Sequence, residues 1–166
     1  VLPVLALAAF GLLSLLFAPA LKGQARVLGG ISLFGIAVAG VATGRLWQLW
    51  RAAGPMETAR GMVRVDGFGL YFAFLLLGIG AMTIVASLRF LEREEADHAE
   101  FYPLVLFALA GMLAMVGTTH LIMVLIGLEV FSLSLYVLTG LTRGRVRSVE
   151  SALKYFLLGA FSSGFL

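Results

Sequence analysis

The chain is cut into apolar runs of bilayer length, and nothing else in it restricts the fold so strongly. Val4 to Leu21 is eighteen residues without a charge, enough for about 27 Å of helix at 1.5 Å per residue. Comparable runs follow, and the pattern predicts six spanning helices at 4–21, 27–50, 67–91, 101–117, 119–141 and 149 onward. The fold class is therefore all-α, a polytopic transmembrane helix bundle. With 61% hydrophobic and 13% charged residues and a mean hydropathy of +1.03, the composition lies far from that of soluble domains, about 45–50% apolar and about 25% charged.

The same composition excludes several function classes. There is no cysteine, hence no disulfide framework and no thiolate metal site. His98 and His120 are the only histidines, too few and too far apart to suggest a metal or heme site. The net charge of +3 is not a nucleic-acid signature, because the basic residues are scattered over loops that a membrane topology explains. Val1 in place of Met, and an apolar run still open at Leu166, read as part of a longer chain. The opening VLPVLALAAFGLLSLLFAPAL lacks a basic leader and a cleavage site, and reads as a first span rather than a signal peptide.

Local signals punctuate the runs. Gly35 and Ala39, and Gly40 and Gly44, carry the four-residue small spacing that lets membrane helices approach closely. Trp47 and Trp50 with Arg45 and Arg51 look like interfacial anchors. Gly54-Pro55 and the alternation Val63-Arg64-Val65 suggest a small surface hairpin, after which Asp66 stands where the third helix needs an N-cap. Glu92 to Glu100 reads as a solvated acidic loop. Only Gly117, Thr118 and Thr119 separate the fourth and fifth runs, so those helices form a tight antiparallel hairpin. His120 at that turn reads as an interfacial histidine bonded to the loop, with proton entry as the alternative. The loops after spans one, three and five hold Lys22, Arg26, Arg89, Arg93, Arg143, Arg145 and Arg147, against Arg45, Arg51, Arg60 and Arg64 on the other side. The positive-inside rule then puts the N-terminus outside.

Two charges sit inside apolar runs, Glu129 and Lys154. A lone charge in hydrocarbon costs several kcal/mol, roughly 3 on insertion scales, so it marks a partner or a pathway. Glu129, Ser132, Tyr136 and Thr139 fall at i, i+3, i+7 and i+10, one polar helix face, with Val130, Phe131, Leu133 and Val137 turned to lipid or to apolar neighbours. Ser151, Lys154 and Ser162 share a face of the sixth span beside Tyr155, and Glu150 stands four residues before Lys154 as a local ion-pair partner. Counting helical rise from either side leaves the two charges several Å apart in depth, which argues against a permanent salt bridge between them. Titratable groups near the midplane are what proton transfer requires.

GLEVFSLSLYVLTGL followed by SVESALKYFLLGAFSSGFL resembles the antiporter-like membrane subunits of proton-pumping NADH:quinone oxidoreductase (complex I), and among them subunit N. FYPLVLFALAGMLAMV and VRVDGFGLYF are similar to the segments that precede that motif, so the resemblance covers about residues 62 to 166. It implies a fold of about fourteen helices, residues 1–118 supplying N-terminal helices 1–4 and 119–166 opening the proton-translocation domain with helices 5–6. It implies that Glu129 and Lys154 belong to the transport machinery. It implies no cofactor in this chain, with NADH, FMN, iron-sulfur clusters and quinone in partner subunits. The implied partners are the other membrane subunits of complex I, including neighbouring antiporter-like subunits, and the lipid bilayer, with no nucleic acid. The implied location is an energy-transducing membrane, the bacterial inner membrane. Ser134 departs from the family, where proline is common, and leaves the helix kink expected there open. Two other readings share these features: a subunit of a multisubunit sodium/proton antiporter, and a scaffold whose buried charges only set helix register. Copurification with a flavin and iron-sulfur arm separates the first reading from the antiporter.

Overall fold

The computed structural model describes residues 1–21, 24–58, 61–93, 99–142 and 144–165. Lys22, Arg60, Arg143 and residues 94–98 of the acidic loop, with His98, lie outside the described residues, as do the side chains of Arg89 and Arg93. Six helices and one hairpin follow in order: α1 (Leu2–Phe17), α2 (Ala25–Ala53), β1 (Met56–Thr58), β2 (Val63–Val65), α3 (Gly67–Arg93), α4 (Phe101–Val116), α5 (Leu121–Thr139) and α6 (Val146–Ser163). Each expected span is a helix. Three combine the length and hydropathy needed to cross a membrane: Arg26–Ala53, Gly67–Leu88 and Leu121–Thr139. The apolar helices α1 and α4 are shorter, at 16 residues each. The first run stops at Phe17 instead of Leu21 because Pro19 has no N–H with which to continue the ladder.

α4 is the hub. It packs against α1, α2, α3 and α5, and its buried Tyr102, Leu106, Leu109 and Leu113 meet Leu7, Leu28 and Ile84 in one core. α5 lies along α4, joined by the short turn that the sequence demands, and α6 lies on α5 without burying any of its own residues. At the α4–α5 crossing glycine faces glycine. A Cβ at Gly111 would stand 2.6 Å from the Gly127 carbonyl oxygen, and one at Gly127 would stand 2.8 Å from that of Gly111, so both positions need a residue with no side chain. Small-residue spacing on α2 behaves differently from expectation. Gly35 does receive Phe10 of α1, but Gly40 and Gly44 have open space where a Cβ would be, with nothing within 4 Å.

β1 and β2 pair antiparallel, Met56 opposite Val65, as the sequence suggested. Their hairpin is fastened to the α4–α5 turn: the Arg64 N–H donates to the Gly117 carbonyl at 3.0 Å, and the Thr118 hydroxyl donates to the Met62 carbonyl. Asp66 then caps α3, accepting from the Gly69 N–H at 2.7 Å, and stands 3.6 Å from the Arg64 guanidinium. Asp66→Ala should lower the stability of α3 by about 1 kcal/mol, the usual worth of an N-cap. A thermal-shift measurement on the assembled complex checks this, and an unchanged midpoint would show that the cap contributes nothing.

Trp47 and Trp50 lie in the last turns of α2 with rings 5.3 Å apart, and Arg51 sits over the Trp47 ring at 5.6 Å. That arrangement suits the amphipathic belt at a membrane surface. His120 is the extended residue before α5; its N–H donates to the Thr118 hydroxyl oxygen at 3.0 Å and its side chain is exposed.

Candidate functional site

α5 carries its polar residues on a path that runs from the helix interface outward. Tyr136 is buried, Glu129 and Ser132 are half-buried, and Thr139 is exposed, while Val130, Leu133 and Val137 point away from the bundle as the spacing predicts. The last member of the row spends its hydroxyl locally. Thr139 donates to the Leu135 carbonyl at 2.8 Å, and Ser134, beside the row, donates to the Val130 carbonyl at 2.7 Å. Ser134 retains the backbone N–H that a proline lacks, and α5 runs unbroken from Leu121 to Thr139. Among the described residues Glu129 has neither an ion pair nor a hydrogen bond to its carboxylate.

Lys154 does have a partner, and it is the local one. Its Nζ lies 2.5 Å from Glu150 Oε1, one turn earlier on α6. In an apolar medium this pairing cancels the lysine charge within a single helix, so the cation needs no help from α5. The structure therefore does not bring Glu129 and Lys154 together.

The α5–α6 register explains why. A Cβ on Gly140 would meet the Ala152 methyl at 2.9 Å, the Tyr136 ring stands edge-on to Tyr155 and Phe156 at 4.8 and 5.7 Å, and the Ser148 hydroxyl donates to the Thr139 carbonyl at 2.7 Å. The helices are antiparallel neighbours, and Lys154 is level with the end of α5. Glu129 is then about 14 Å away along the axis at 1.5 Å per residue, about twice the separation that helical rise alone suggested. Tyr136 lies between them. Its hydroxyl rests on Gly159, where a Cβ would collide with it, a contact that the spacing of polar residues on either helix gave no way to find. Among the described residues no three of His, Cys, Asp and Glu converge on a metal-sized site.

Residues 118–166, the part that holds α5 and α6, match the family model described as NADH:quinone oxidoreductase/Mrp antiporter, TM. Over nearly the whole chain the similarity is to subunit N. NADH-quinone oxidoreductase subunit N 1 of Solibacter usitatus is 39% identical over 165 residues, covering 99% of this chain and 33% of the relative. The subunit N 1 of Koribacter versatilis is 40% identical, covering 98% of this chain and 33% of that one. The chain thus spans about a third of the length of the curated relatives it matches. Among solved structures, a chain of respiratory complex I from Thermus thermophilus with bound aureothin superposes with a TM-score of 0.75 at 32% identity, covering 98% of this chain and 34% of that chain. An archaeal membrane-bound sulfane sulfur reductase shares the fold at 19% identity and a TM-score of 0.68, over 98% of this chain and 35% of its own. On sequence and fold together, the chain is similar to the antiporter-like membrane subunits of NADH:quinone oxidoreductase, and residues 118–166 match the family model that includes them.

Proposed function

We propose that the protein to which this chain belongs is a proton-translocating membrane subunit of an NADH:quinone oxidoreductase. Glu129 is the titratable carrier, and Lys154 is the charge whose pairing changes during transport. The observation that carries the reading is the carboxylate of Glu129, half-buried in the middle of an apolar helix with no ion pair or hydrogen bond among the described residues. A carboxylate so placed is costly as an anion unless it can take up a proton, and a scaffold would pair it. Lys154, held by Glu150 at 2.5 Å, fits a displaceable pair: pulled from Glu150, it presents an uncompensated positive charge to the neighbouring helix. That similar chains carry the name subunit N supports the redox-coupled reading over the sodium/proton antiporter that shares the family model.

On this reading residues 119–166 open the translocation domain and 1–118 supply the four helices that brace it. The chain holds no redox centre: NADH, FMN, iron-sulfur clusters and quinone belong to partner subunits, and neighbouring antiporter-like subunits flank this one in the bacterial inner membrane. NADH-driven proton uptake by vesicles carrying Glu129→Gln, beside an assembly control, tests the assignment. The N-terminus lies outside, so cysteines replacing Lys22 and Arg145 are expected to react with a membrane-impermeant reagent only from the cytoplasmic face. Labelling from outside would reverse the orientation.

A further inference from the structure

We propose that Tyr136 relays the proton between Glu129 and Lys154, and that Gly159 is glycine in order to admit the end of its ring. The inference rests on the function proposed above and adds a residue to it. Two charges about 14 Å apart along the α5 axis cannot exchange a proton directly, since a hop runs along a hydrogen bond of about 2.7–2.8 Å between oxygens. A group is needed between them.

Tyr136 meets the requirement by position and by chemistry. It is two turns from Glu129 on the same helix face, with Ser132 between, and its ring crosses to α6 within 4.8 Å of the ring of Tyr155, the neighbour of Lys154. The ring is buried, yet a phenylalanine would make the same edge contacts with Tyr155 and Phe156. Gly159 admits the end of that ring, because a Cβ there would overlap the hydroxyl oxygen and stand 2.5 Å from Cζ, and a glycine in mid-helix sacrifices helix propensity on α6. Buried tyrosine hydroxyls normally find a hydrogen-bond partner. Among the described residues this one has none, so its donor and its acceptor are both free for water on either side.

The step conserves charge. The Lys154 ammonium gives a proton to water on its side, that water gives one to the Tyr136 oxygen as the phenolic O–H bond breaks, and the phenolic proton passes through water to the Glu129 carboxylate, leaving a neutral amine and a carboxylic acid. The hydroxyl then rotates back for the next transfer.

The test uses the assembled complex with the full-length subunit in membrane vesicles. Tyr136→Phe is expected to assemble as wild type on a native gel and to lower NADH-driven proton uptake by on the order of tenfold, less than a directly titrating group is worth because water can still cross the gap slowly. Tyr136→His, which returns a group able both to donate and to accept, is expected to restore part of the uptake. Full uptake in Tyr136→Phe overturns the relay, and so does a loss of uptake that only follows loss of assembly, since that makes Tyr136 a packing residue. Normal uptake in Glu129→Gln would instead sink the underlying function, whereas impaired Glu129→Gln beside normal Tyr136→Phe removes only the relay.

Discussion

Glutamine at position 129 is expected to leave the complex assembled and to cut NADH-driven proton uptake by on the order of 10²-fold, the lower end of what a positioned acid–base group contributes. The substitution keeps the shape and hydrogen-bonding capacity of the side chain and removes only its titration. An amide is cheaper than a carboxylate to hold among apolar neighbours, so α5 should insert at least as well as before. A scaffold role forecasts the reverse. If Glu129 neutralised a lysine across a helix interface, the variant would strand a buried cation at about 3–5 kcal/mol and the complex itself would be lost. The local Lys154–Glu150 pair makes that outcome improbable on physical grounds, because the lysine already has its counter-ion. Assembled complex on a native gel, measured beside proton uptake, separates the cases: normal uptake, or failed assembly, counts against Glu129 as a carrier.

The largest structural effect is expected at the α4–α5 crossing. Gly127→Leu places a side chain where the Gly111 carbonyl oxygen would stand 2.8 Å and Met115 Cγ 2.7 Å from the new Cβ alone. Overpacking a core costs about 1–3 kcal/mol when side chains can yield. Here the obstacle is partly backbone, which can yield only by separating the two helices, so the expected result is loss of assembled subunit with α5 displaced. Gly40→Ala is the matched control. Nothing lies within 4 Å of a Cβ at that position, and alanine favours helix, so assembly should be unchanged. Equal behaviour of the two variants on a native gel would show that the Gly111–Gly127 contact does not hold the bundle together.

Much of this protein is legible residue by residue. Apolar run length and the positions of proline, glycine and charge predict six helices to within a few residues at most ends, because in hydrocarbon a backbone must satisfy its own hydrogen bonds and a helix does so locally. Asp66 as a cap, the Met56–Val65 hairpin and the tight α4–α5 turn are local in the same sense. Glu129 is conspicuous in sequence because a charge in such a run carries a cost that any fold must meet.

What surrounds Glu129 is another matter. Helical periodicity states which residues share a face, but not which faces meet or at what register. Glycines four apart on α2 and glycines on α4 and α5 look equivalent as spacing, yet only the packing makes Gly111 and Gly127 touch and leaves Gly40 and Gly44 open. Lys154 could have paired with Glu129 or Glu150 on its composition alone. The antiparallel register of α5 and α6, set by Gly140 against Ala152 and Tyr136 against Gly159, puts the lysine level with the wrong end of α5 and leaves Glu150 as its partner. The sequence by itself determined a bundle of membrane helices with a carboxylate in the middle of the fifth, since those are properties of single segments. Which groups stand between that carboxylate and the lysine was decided by tertiary structure, because contact between two helices depends on the shapes of both.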